Sequence, residues 1–156
     1  MPTTEMTRAQ ARHWLDRWDR QQEGYIADRE ERFAVIADVV AAASDRPDAL
    51  VVDLGAGPGS LSVRLLDRLP RATVGGVDAD PLLLGLAQAA YGERGRLRLV
   101  KTDLRAAGWV TALGLERAAD AVVSTTALHW LTPAELGDLY RSCAPGAAPR
   151  RGAGQR

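Results

Sequence analysis

Cysteine is all but missing: Cys143 stands alone among 156 residues, so neither an internal disulfide nor a cysteine zinc cage can form, and no metal is expected. Net charge is missing too. Twenty basic residues cancel 20 acidic ones, which removes the global field that would draw a chain to nucleic acid or anionic lipid. Lysine is represented by Lys101 alone, with arginine supplying every other cation, a bias given no functional weight. The start has no apolar core of the kind a signal peptide needs. These absences point to a cytoplasmic chain with neither nucleic acid nor membrane as partner. What is present suffices for one domain, because 46% hydrophobic content at this length can build a core.

The first segment pairs Thr7 with Gln10 as a capping box and then spaces Ala11, Trp14, Leu15 and Trp18 at helical intervals, so an amphipathic helix is expected with both tryptophans in the core. After Gly24 a second helical stripe carries Phe33, Ile36, Ala37 and Val40, closed by the turn residues of 44–48 with Pro47. The pattern then changes to short apolar runs. Residues 50–54 read as a buried parallel strand, followed by a helix through Leu61, Leu65, Leu66 and Leu69 that stops at Pro70.

Further strands are expected at 72–77, 96–100 and 119–124. Asp80-Pro81 caps and opens a helix toward Tyr91, and Trp109 with Leu113 falls in a loop or short helix. Thr132-Pro133-Ala134-Glu135 forms a second capping box with proline at the first helical position, leading into Leu136, Leu139 and Tyr140. Four strands, each followed by helical matter, predict an α/β fold, a Rossmann-like doubly wound parallel sheet. Residues 144–156 have no aliphatic periodicity and are expected to be a disordered tail.

The densest information lies in 51–62, where a strand runs into a glycine turn and then a helix. Gly55, Gly57 and Gly59 can bring a ligand close to the main chain, and the helix start offers unpaired N–H groups. Asp53 suits a ligand bearing an ammonium or hydroxyls and would repel a pyrophosphate beside it. The Gly55-Ala56-Gly57-Pro58-Gly59 spacing also departs from the Gly-x-Gly-x-x-Gly of nicotinamide sites. Asp78 stands about 20 positions beyond the turn, the offset at which an acid reaches ribose hydroxyls. All the informative residues fall where strands end, which is where open parallel sheets bind ligands.

Four motifs in order carry a family resemblance: Val51 to Gly59, Val74 to Asp80, Lys101-Thr102-Asp103-Leu104 and Ala119 to Ser124. Over about residues 7–143 the chain resembles the class I S-adenosylmethionine-dependent methyltransferases, and Ala127 to Leu131 is similar to the small-molecule branch that includes trans-aconitate methyltransferases. The resemblance implies S-adenosyl-L-methionine as cofactor and a small-molecule acceptor. It implies that the turn at Gly55, Ala56 and Gly57 cradles the methionine end while Asp53 orients its amino group. It implies that Asp78 takes the ribose and that Asp103 with Leu104 holds the adenine, with Gly59, Ala79 and Ser124 completing the cofactor set.

A sulfonium methyl group is already activated, so positioning does most of the work and a base is needed only for a hydroxyl or protonated amine acceptor. His129 is the candidate base, although its neighbours Leu128 and Trp130 also suit a packing element. The segment from Tyr25 to Arg32 resembles the lid-like helix of related enzymes, where an arginine can meet an acidic acceptor or the methionine carboxylate. Tyr25, Arg32 and Trp130 are the candidate acceptor contacts, although solvated charge is the preferred reading for Arg29 and Arg32. The expected organisation is an N-terminal helical lid at 1–48, a cofactor-binding core at 49–143 and the tail.

Enzymes of this class continue past the fourth helix with strands that complete a seven-stranded sheet. Here Pro145-Gly146 occurs and no strand-like run follows, so the last strands are expected to be missing and the chain truncated at its C-terminus. The fourth strand then becomes an edge with apolar residues on both faces, which invites poor solubility and self-association. That leaves a second function in play, an inactive methyltransferase-like fragment that binds a cofactor or a partner.

Overall fold

The computed structural model describes residues 6–144, and the expectation of a disordered tail therefore falls, Ala144 apart, outside the described residues. The elements in chain order are α1 (Arg8–Tyr25), α2 (Arg29–Ala43), β1 (Leu50–Leu54), α3 (Ser60–Arg68), β2 (Thr73–Asp78), α4 (Pro81–Tyr91), β3 (Leu97–Lys101), α5 (Trp109–Leu113), β4 (Ala121–Ser124) and α6 (Pro133–Cys143). The strands form one sheet in the order β3-β2-β1-β4, and every neighbouring pair is parallel. This is the doubly wound, Rossmann-like arrangement that the strand-helix alternation predicts.

Local chemistry explains where the helices begin. Thr7 and Gln10 exchange bonds in a complete capping box at α1, as do Thr132 and Glu135 at α6. Asp80 accepts from the backbone N–H groups of Leu82 and Leu83 at 2.8 and 3.3 Å, and Pro81 supplies a first residue that has no N–H to satisfy.

The two faces of the sheet fill separately, because successive strand residues alternate sides. Val51 and Val74 pack with Phe33, Ala37 and Val40 of α2 and Leu61, Leu65 and Leu66 of α3. Val52, Leu54 and Val77 pack on the other side with Trp109 and Leu113 of α5 and Leu139 of α6. α1 lies against α4 through Ala11, Leu15 and Ala90.

Two expectations about the tryptophans need correction. Trp14 is 52% exposed, and Trp18 is half-buried at the rim of a cleft rather than in the core. The α1 surface that meets α4 is narrow, and Ala11 with Leu15 fills it. Among the described residues β4 pairs with β1 alone, and Val122 is 38% exposed.

Candidate functional site

A cleft of about 730 Å³ opens at the carboxyl ends of the strands. The glycine turn after β1, the end of β2, the loop after β3 and the loop after β4 supply its walls, and Trp18, Gln22, Arg29 and Phe33 reach it from α1 and α2. Asp53, Gly55, Ala56, Gly57, Asp78, Ala79, Asp103, Leu104, His129 and Trp130 all line it. Ten of the candidate residues thus line one cavity, although they come from the ends of four separate strands and the loops that follow.

The turn is held by the sheet. Ala56 N–H donates to the Val77 carbonyl at 2.9 Å, and Gly57 N–H donates to Asp78 Oδ2 at 2.8 Å. Asp78 Oδ1 accepts from Asp80 N–H at 2.8 Å, so its carboxylate is pinned at both oxygens while keeping lone pairs for a ligand. Gly55 has φ +68°, and a Cβ built there would overlap the Cβ of Ala127. No other residue fits where the turn meets the β4 loop.

Asp53 points to the α3 side of the sheet, where the fully buried Ser62 donates its hydroxyl to Oδ2 at 2.7 Å. Its other oxygen, Oδ1, is buried without a hydrogen-bond partner. Burial pushes the Asp53 carboxyl up to about 7, with the negative charge of Asp78 adding to the rise and the Ser62 hydroxyl opposing it. An orphaned carboxylate oxygen costs free energy unless something supplies a proton or a cation.

Asp103 meets Arg105, which donates to Oδ1 from Nε at 3.0 Å and to Oδ2 from Nη2 at 2.8 Å. That guanidinium holds the Asp103 carboxyl below the usual carboxylate range. Both side chains are about half exposed, so another hydrogen-bond donor can compete for the same oxygens at modest cost. His129 is exposed, follows β4 in a short 3-10 turn and lies 4.9 Å from the Trp130 ring, which is itself 82% exposed.

Four sequence-chosen residues lie away from the cleft lining. Gly59 caps α3 with φ +83° and faces Ala87 rather than the cavity, and the Ser124 hydroxyl is engaged with the Leu54 carbonyl at 2.8 Å. Tyr25 ends α1 and is 79% exposed, while Arg32 Nε donates to the Ala27 carbonyl at 3.0 Å. The arginine that reaches the cleft is Arg29, and the expectation of solvated charge there is corrected, since it is only 7% exposed. Its Nη1 donates to Asp19 Oδ1 at 2.9 Å, and its guanidinium carbon lies 4.6 Å from the Phe33 ring centre.

The signal for Arg29 is present in the sequence: it stands four residues before Phe33, on the stripe that continues through Ala37 and Val40. Thr126 carries no such signal. Its φ of +54° places a β-branched residue in the left-handed region, a conformation that costs on the order of 1–3 kcal/mol and clusters at functional sites.

Residues 51–149, more than half of the chain, match the family described as methyltransferase domain. The chain belongs to that family. The chain is 33% identical to a trans-aconitate 2-methyltransferase of Azoarcus sp. (strain BH72) over 131 residues, covering 83% of this chain and 47% of that protein. The same enzyme of Deinococcus radiodurans is also 33% identical over 131 residues, with 83% of this chain and 46% of that protein covered. The chain therefore spans about half the length of the curated relatives it matches. Among solved structures, an amino pentose methyltransferase from Micromonospora echinaspora, CalS10 with bound SAM, superimposes with a TM-score of 0.62 at 28% identity over 81% of this chain and 49% of that one.

Proposed function

We propose that this methyltransferase domain binds S-adenosyl-L-methionine in the cleft and transfers its methyl group to a small-molecule acceptor. The observation that carries the reading is the buried, unpartnered Asp53 Oδ1 beside a glycine turn whose Gly57 N–H is gripped by Asp78. A cationic amino group is the partner that orphaned oxygen lacks, and the free lone pairs of Asp78 suit ribose hydroxyls. The residues present thus fit the cofactor. The bound sulfonium would supply an activated methyl group.

The chain's own residues then bind and orient. Asp53 would take the ammonium, Arg29 the carboxylate, Asp78 and Ala79 the ribose, and Asp103 with Leu104 the adenine once Arg105 yields. His129 stands at the acceptor side of the cleft and could remove a proton from a hydroxyl or amine acceptor. Trp130 offers that acceptor an exposed aromatic face. The trans-aconitate enzymes among its relatives are consistent with a small acceptor, and a cytoplasmic location accords with the single cysteine.

Calorimetric titration of S-adenosylhomocysteine tests the cofactor claim. Asp78→Ala removes both the ribose acceptor and the anchor of Gly57 N–H, so affinity should fall about 10- to 100-fold. Folded wild-type protein that gives no binding heat would refute the reading.

The exposed Val122, on a strand that pairs with β1 alone among the described residues, favours a second reading, a cofactor-binding module that associates with itself or a partner along β4. Under it, sedimentation finds a dimer that Val122→Lys converts to monomer. A monomer at every concentration removes self-association.

A further inference from the structure

We propose that Asp19, which lies outside the cleft lining, is a positioning residue that sets Arg29 for the carboxylate of the cofactor's amino-acid end and ties it to the start of α3. The inference rests on the cofactor reading above. A guanidinium as buried as that of Arg29, with a side chain 6% exposed, needs a charged partner close by. Asp19 supplies it at 2.9 Å, and among the described residues it is the one hydrogen-bond acceptor that Arg29 has. Nε and Nη2 remain free for a ligand carboxylate, in the planar fork that arginine alone presents.

Asp19 also reaches the element that follows the glycine turn. Its Oδ1 accepts from the Ser60 hydroxyl at 2.7 Å, and its Oδ2 accepts from Arg64 Nη2 at 3.0 Å. One carboxylate on α1 thus joins α2 to the first turn of α3. The Phe33 ring lies 4.6 Å from the Arg29 guanidinium carbon and 4.9 Å from that of Arg64, a flat surface that restricts both. Burial pushes the Asp19 carboxyl up, and the bonds from Ser60, Arg64 and Arg29 together outweigh it, so the group stays charged at neutral pH.

The arrangement matches a zwitterion. Asp53 Oδ1 offers a negative site without a partner and Arg29 a positive site with spare donors, and both line the same cleft. If Asp19 only stabilised the fold, its removal would weaken every ligand of the cleft alike. If it positions Arg29, the loss falls on ligands that carry the amino-acid carboxylate.

Two ligands separate these cases: S-adenosylhomocysteine, which has the amino-acid end, and methylthioadenosine, which lacks it. Calorimetry on the full chain should show Asp19→Asn and Arg29→Met weakening S-adenosylhomocysteine about tenfold while methylthioadenosine changes less than about twofold. Asp19→Glu should restore most of the difference. Ser60→Ala, which leaves both arginines in place, should give a smaller loss in the same direction and keeps the test decisive if Asp19→Asn does not fold. Equal weakening of both ligands, or of neither, overturns the inference. Wild-type protein that binds both with equal affinity also overturns it while leaving the cofactor reading intact, and failure to bind either refutes that reading and the inference together.

Discussion

The two long walls of the cleft are built differently. At the ends of β1 and β2 the backbone closes on itself: Ala56 bonds across to Val77, Gly57 and Asp80 both bond to Asp78, and Asp53 sits beneath them fully buried. After β4 the chain leaves the sheet through a left-handed Thr126, and His129 and Trp130 stand largely in solvent. A wall of the first kind recognises a ligand through groups that cannot move without disturbing the sheet. A wall of the second kind adapts where its side chains stand in solvent, as those of His129 and Trp130 do. Under the proposed function, cofactor recognition would fall to the first wall and acceptor choice to the second.

The largest disturbance should come where the walls touch. Gly55→Val adds a branched side chain at φ +68°, against Ala127. Overpacking and backbone strain should each cost about 1–3 kcal/mol, read as a lower urea midpoint, with loss of S-adenosylhomocysteine binding. Unchanged stability would mean that the walls are not packed against each other.

A subtler change separates charge from shape in the rigid wall. The Asp53 carboxyl titrates near 7 in the folded chain against about 3.9 in an unfolded one, because burial favours its neutral form. A raised folded value gives stability that is full below the unfolded value and lost as pH rises through the folded one. Wild type minus Asp53→Asn should therefore show stability falling between about pH 4 and pH 7 in urea titrations without ligand. Affinity for the ammonium-bearing ligand should move the opposite way, rising through pH 7 in wild type and staying flat in the variant. A pH-independent difference would show that Asp53 does not titrate in this range.

The mildest change tests the adaptable wall. Trp130→Ala removes a ring that is 82% exposed, so stability should stay within about 0.5 kcal/mol and cofactor affinity should not change. A loss well beyond that in a thermal melt would give this wall a structural role and erase the contrast.

Much of the rigid wall was legible in the residue order. Glycine at 55 and 57, acids at 53, 78 and 103, and the apolar runs between them are local signals with local causes: a turn geometry, a strand end, a cap. The strands themselves were placed to within one or two residues, since the buried β1 reads as an apolar run and β3 alternates basic and apolar residues. Arg29 and Arg32 show the limit. Both are arginines near the start of one helix; the stripe through Phe33 and Ala37 marks Arg29 as the inward one, but only the folded packing gives it Asp19 as partner while Arg32 bonds back to Ala27. Trp14 and Trp18 share a face of α1 one turn apart, and position along the helix decides that only Trp18 reaches the cleft.

The amino-acid order by itself determined the alternation of strands and helices, the glycine turn and the acids at strand ends, because periodicity, capping and backbone freedom act over a few neighbours. It also determined the family, through motifs whose spacing reflects those same local geometries. Tertiary structure alone decided that Asp53 keeps an unpartnered oxygen, that one carboxylate of Asp19 joins three helices, and that Ala127 packs against Gly55 beside a left-handed Thr126. Those facts depend on residues brought together from distant parts of the chain, and burial and charge pairing have no meaning until that packing exists.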